Sequence, residues 1–147
     1  MTKTSLGARR KGRTIALQAL FEVDCTGHDS TESLDRLVEG SSLPEETATF
    51  ARELVLKVLE NRGIIDELIR RFAPAWPLQQ IAVVDRNILR MGVYEILFKV
   101  VPAKVAINEA VELAKTFGSD SSSKFVNGVL GSVYAELTSQ KERKEVM

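Results

Sequence analysis

The residue types able to do covalent chemistry are few and poorly placed for it. Glu109 and Glu112 lie three apart on one helical face, and Glu45 and Glu46 are adjacent. Paired carboxylates can divide acid and base work. Neither pair has a histidine, a second acidic pair or a phosphate-cradling glycine loop beside it. The single His28 sits in a Thr-Gly-His-Asp-Ser loop, which leaves no credible Ser/His/acid set. Neither G-x-x-x-x-G-K-S/T nor G-x-G-x-x-G occurs. A lone Cys25 excludes an internal disulfide, and one Cys with one His argues against a zinc site. The acids are expected on exposed helix faces. No metal and no cofactor are expected, and the chain is not expected to be an enzyme.

Binding chemistry is better represented. The run ARRKGR, Ala8 to Arg13, concentrates cations where residues 1–21 hold five Lys or Arg and no acid. That segment carries +5, so the rest of this formally neutral chain carries −5. A basic arm on an acidic body suits contact with a polyanion. A solvated helix start or a solubility arm is the alternative. A second cluster lies in SSSKFVNGVLGSVY, Ser121 to Tyr134. Phe125 projects at the margin of an apolar stripe beside Lys124, where it could stack on an unpaired base or belong to the core. Asn127 suits a base edge or a helix cap. Gly128, Gly131 and Ala135 form a small-residue strip that permits close helix packing or the approach of another backbone.

The elements positioning these residues are helical. Val83 to Val100, VVDRNILRMGVYEILFKV, is apolar around most of its circumference, so it is expected as a central helix covered on several sides. Asp85, Arg86, Arg90 and Glu95 then lie on or near a buried element and need internal pairs or a surface partner. Apolar spacing predicts a first helix over about Ala8–Val23. Its Arg9 and Arg13 share the side of Leu20, so its first turns are expected to project past the core into solvent. A short helix ended by Gly40 comes next, then one opening at Pro44 with Phe50, Leu54 and Val58 inward. Gly63 is expected to separate it from a helix carrying Ile64, Ile65, Leu68, Ile69 and Phe72. Pro74 and Pro77 stop that helix. After the central helix come Ala103–Phe117, with Ile107, Ala110, Val111 and Ala114 inward, and about Ser122–Leu137. The expected architecture is all-α, about seven helices in one domain spanning 1–147, with 1–7 and 139–147 flexible. No apolar run approaches the ~20 residues that span a bilayer, and no apolar segment follows the basic start to make a secretory signal. A cytoplasmic protein is expected.

Three blocks carry a resemblance: ARRKGRTIALQALFEVD, VVDRNILRMGVYEILF and VPAKVAINEAVELAKTFGSDSSSKFVNGVL. They resemble the NusB family of bacterial transcription antitermination factors over nearly the whole chain, with residues 25–62 matching only loosely. The resemblance implies two helical sub-bundles. It implies binding to the single-stranded boxA element of ribosomal RNA leader transcripts, together with NusE, a small-subunit ribosomal protein. It also implies an indirect link to the RNA polymerase antitermination complex and suppression of premature termination. Carried over by position, the RNA-binding residues are Arg9, Arg10, Lys11, Arg13, Lys124, Phe125, Asn127 and Gly128. The partner-facing residues are Asp85, Arg86, Arg90, Tyr94 and Glu95. The family pattern often opens with three arginines; here it is Arg-Arg-Lys-Gly-Arg, and Gly12 weakens a helix by about 0.5–1 kcal/mol relative to Ala. Some relatives pair through the RNA-facing surface, so a homodimer is a further expectation. A related domain precedes rRNA cytosine methyltransferases, but no catalytic domain follows the KFVNGVL block here. A helical domain that binds only proteins is the other rival.

Overall fold

A computed structural model describes residues 6–146, with side-chain placement over residues 7–143. Seven α-helices occur among them: α1 (Leu6–Thr26), α2 (Ser30–Ser41), α3 (Glu45–Glu60), α4 (Arg62–Phe72), α5 (Val83–Leu97), α6 (Ala103–Phe117) and α7 (Ser122–Val146). A single 3-10 turn, Leu78–Gln80, precedes α5. The chain divides between Asn61 and Arg62 into two compact units, α1–α3 and α4–α7. Residues 1–5 and 147 of the segments expected to be flexible lie outside the described residues. Gly63 does not interrupt the chain as expected. It is the second residue of α4, and the break falls at Asn61, whose side-chain amide donates to the Lys57 carbonyl at 2.8 Å. The last helix also runs past Leu137 to Val146.

In the first unit, α1 packs against both α2 and α3. Its buried stripe is Ile15, Ala16, Ala19 and Leu20, with Leu17 beside it. Ala51, Leu54, Val55 and Val58 of α3 complete the core. Gly27, at φ 73°, takes the left-handed conformation that closes α1, and its N–H donates to the Val23 carbonyl at 2.9 Å. Near this end Glu22 accepts hydrogen bonds from Arg36 of α2 and from His28. The Arg36 guanidinium first, and His28 second, hold the Glu22 carboxyl below the ordinary glutamate value. Folding therefore favours the ionised carboxylate. That contribution is present above the ordinary value near 4.5 and is lost as pH falls through the lowered folded value. An NMR titration of the intact protein should place the Glu22 midpoint below 4.5, and Arg36→Ala should move it back up.

In the second unit, α5 packs against α4, α6 and α7. Eleven of its fifteen residues are buried, as its nearly all-round apolar sequence predicts. Gly92 allows the closest approach. A Cβ there would lie 2.6 Å from Leu130 Cδ1, so α7 seats its leucine where α5 has no side chain. The inward face of α6 is turned from the expected one. Ala106, Glu109, Ala110, Leu113 and Ala114 are buried, whereas Ile107 and Val111 are half-buried. Glu109, expected to be exposed, is 4% accessible.

The charge of Arg90 is resolved inside this unit. Its Nε and Nη2 donate to Asp66 Oδ1 and Oδ2 of α4 at 2.8 and 3.1 Å, and Nη1 donates to Asn87 Oδ1 at 3.3 Å. Arg90 is 4% exposed and Asp66 6%. Removing one member of such a pair strands the other in low dielectric. Asp66→Ala should cost about 3–5 kcal/mol in urea unfolding. Glu67→Ala, next door but exposed and 3.8 Å from Arg70, should cost under about 1 kcal/mol.

Candidate nucleic-acid interface

The basic run starts α1, where cations oppose the macrodipole. Its residues divide into two kinds. Arg9 and Arg13 turn toward α3, with guanidinium carbons 5.5 and 5.3 Å from the centre of the Phe50 ring. Gly12 sits between them on the same face. A Cβ at Gly12 would lie 2.8 Å from Phe50 Cδ2 and 3.4 Å from the Thr47 carbonyl oxygen, so the ring occupies the space that glycine leaves. Gly12 is thus a packing residue as well as a weak helix former. Arg13 is 1% exposed and Arg9 half-buried, which corrects the expectation that both project beyond the core. The aromatic ring favours this burial, because cation–π attraction strengthens when the cation is desolvated. Arg10 and Lys11 are exposed.

The second cluster is set by the turn into α7. The Gly118 N–H donates to the Ala114 carbonyl at 2.9 Å and ends α6. A side chain at Gly118 would collide with Ser122, whose buried Oγ accepts the Ser119 N–H at 2.9 Å. The Ser121 carbonyl accepts the Phe125 N–H at 3.1 Å. This fixes the rotation of α7. Val126, Val129, Leu130 and Val133 face the core, while Lys124, Asn127 and Gly128 are exposed. Phe125 is half-buried at the margin, as its position on the stripe predicts. Nothing lies within 4 Å of a Cβ built on Gly128 or Gly131, so the strip is not a helix-packing seam but an open, low-relief face.

The residues expected to meet a protein partner are mostly internal. Arg90 is committed to Asp66 and Asn87. Glu95 is 2% exposed, and Tyr94, 8% exposed, rests against Phe98 with ring centres 5.1 Å apart. Arg86 is half-buried, and its Nη1 donates to the Leu78 carbonyl at 3.1 Å. Asp85 is 8% exposed, and its Oδ1 is buried without a hydrogen-bond partner among the described residues. Two contributors escaped the sequence reading. Phe50 was assigned to an ordinary core stripe, and Asp66 was passed over between Ile65 and Leu68. The available signals were Arg-x-x-Gly-Arg, which leaves a ring-sized gap between two cations, and a lone acid beside an apolar stripe. Among the described residues, no group of three or more His, Cys, Asp or Glu could hold a metal ion.

Comparison with known proteins gives this geometry a context. Residues 10–135 match the model of the NusB family. The transcription antitermination protein NusB of Dehalococcoides mccartyi is 47% identical over 139 residues, covering 94% of this chain and 97% of the relative. The solved structure of T. maritima NusB superposes with a TM-score of 0.82 at 36% identity, covering 92% of this chain and 94% of that one. A structure of antitermination factors NusB and NusE in complex with dsRNA also aligns, with a TM-score of 0.82 at 26% identity, covering 90% and 99%. With two helical units of this topology and a family match over most of its length, the chain belongs to the NusB family.

Proposed function

We propose that this protein is a non-enzymatic, RNA-binding transcription antitermination factor that acts with NusE. Family membership supports the class of activity. One observation carries the RNA-binding reading. Arg9 and Arg13 anchor the start of α1 on Phe50, which leaves Arg10 and Lys11 presented to solvent from a fixed helix. In this reading Arg10, Lys11, Lys124 and the exposed part of Arg9 neutralise phosphates. Phe125 stacks on a base, and Asn127 reads a base edge. Gly128 lets the strand approach the helix backbone. Arg13 acts by holding the basic turn in place.

The RNA is the single-stranded boxA element of ribosomal leader transcripts. NusE adds contacts around Asp85 and Arg86, the two least enclosed charges at the start of α5. Arg90, Tyr94 and Glu95 shape that surface from inside. Binding tethers the transcript indirectly to transcribing polymerase and suppresses premature termination. The reading places the protein in the cytoplasm as one 1–147 functional domain. No helix among the described residues is long and apolar enough to cross a membrane. Pairing of two copies through the RNA face would compete with RNA.

Fluorescence anisotropy of a short boxA-like RNA against a scrambled control, with and without NusE, tests the reading. About four phosphate contacts give a log–log salt slope near −3, at roughly −0.7 each. Binding blind to sequence even with NusE would overturn it in favour of a domain that binds only proteins. Arg10→Ala should weaken both RNAs alike and reduce the slope by about 0.7. Arg13→Ala should instead lower the unfolding midpoint. Phe125→Ala should cost about 1–3 kcal/mol of RNA affinity with the fold intact, and equal affinity would remove the stacking role.

A further inference from the structure

We infer that a groove between the end of α5, the start of α6 and the C-terminal half of α7 docks a short acidic, apolar segment of a protein partner. The groove encloses about 800 Å³, a volume typical of binding clefts. Its lining includes Leu97, Val101, Pro102, Tyr134 and Leu137, with Tyr134 40% exposed. Among the described residues its charged lining is Lys99 and Lys141, with no acid. Neither lysine has an ion-pair partner among the described residues. None of these residues belongs to the surface proposed for RNA, so the inference stands apart from that reading.

The backbone at Lys99 supports a role for its side chain. Lys99 has φ 52°, a left-handed conformation that glycine adopts without penalty and a lysine does not. It occupies the residue that closes α5, where the Val100 N–H donates to the Glu95 carbonyl at 3.1 Å. Capping alone favours glycine at this position. The chain instead places a cation there, at the groove's rim.

Charge and shape together define the occupant. Across Leu137 the apolar surface continues into a shallower depression that shares Leu97, Leu137 and Gln140 and reaches Ile64, which is 60% exposed. The two acids on that side, Glu136 and Glu67, already pair with Arg71 at 3.3 Å and Arg70 at 3.8 Å. Among the described residues, the uncompensated charge is therefore the lysine pair at one end of an apolar strip. An amphipathic helix with carboxylates at one end and an aliphatic face along the strip satisfies both features. RNA does not, because the floor is aliphatic and offers two cations rather than a row of them.

The test uses the full chain and a fluorescein-labelled helical peptide with leucines at i, i+3 and i+7 and glutamates elsewhere. A lysine-for-glutamate version and a scrambled one serve as controls. Expected is saturable binding of the acidic peptide, weakened about tenfold by K99E/K141E, two exposed changes that spare the core. K99G should weaken the peptide while leaving the thermal midpoint unchanged or higher, which a purely structural lysine would not do. No saturable binding, equal binding of the lysine peptide, or indifference to K99E/K141E would overturn the proposal. So would displacement of the peptide by an RNA oligonucleotide, or sedimentation showing a homodimer that K99E/K141E dissociates.

Discussion

A helix packed against three others must settle its charges within the fold or at its ends. In α5 the requirement falls hardest on Arg90, and Asp66 meets it with two parallel hydrogen bonds. Apolar contact between α4 and α5 would tolerate rotation and sliding, because dispersion and burial are nearly non-directional. A bidentate carboxylate–guanidinium pair does not tolerate them. The pair thus sets which face of α4 meets α5, and Ile65 and Ile69 are carried into the core beside Asp66. Asp66 also draws Arg62 to 3.5 Å, so the acid ties the first turn of α4 to the middle of α5. A buried ion pair adds little net stability over a good apolar contact. Its use here is orientation.

The same logic shapes the basic end of α1 with a different partner. Here an aromatic ring meets both Arg9 and Arg13, seated at a glycine. A ring attracts cations without neutralising them. Contact with Phe50 therefore fixes the helix in rotation without itself cancelling charge. An acid in place of Phe50 would also anchor the arginines, but it would cancel part of the charge available to a polyanion.

The architecture was legible because hydrophobic periodicity is a local signal. α6 began and ended where Pro102 and Gly118 indicated, and α5 was identified by its lack of a polar face. What was not legible depended on contacts between distant residues. The spacing of Arg9 and Arg13 placed them on the core side of α1, but that the Phe50 ring of α3 meets both could not be read from it. Gly12 carried a helix-propensity cost in the sequence, and only its clearance from Phe50 shows the compensating contact. Glu109 lay off the expected apolar stripe because that stripe was centred on Ile107 and Val111, whereas the buried face turns toward Ala106 and Leu113. The Lys-Phe-Asn cluster was read in the right relation to the core. Residue type alone suggested stacking and base-edge contact there, and the expectation that it serves RNA together with the basic start of α1 came from the family resemblance.

Glycines make the final contrast. Gly12, Gly92 and Gly118 each lie against a neighbour that a Cβ would strike, so their cost to helix or turn is offset by packing. Gly128 and Gly131 lie mid-helix in α7 with nothing within 4 Å of the missing Cβ. Each weakens the helix by about 0.5–1 kcal/mol with no packing contact at that position in return. Lys11 stands similarly, an exposed cation in the first turns of α1 where the macrodipole opposes it. Features that lower stability without improving packing are intelligible when a ligand uses them. For the RNA ligand proposed above, an exposed cation on a fixed helix start would supply electrostatic affinity, and a smooth helix face beside Lys124 and Asn127 would give a strand close access. The two local concessions fall on the residues whose chemistry best suits RNA.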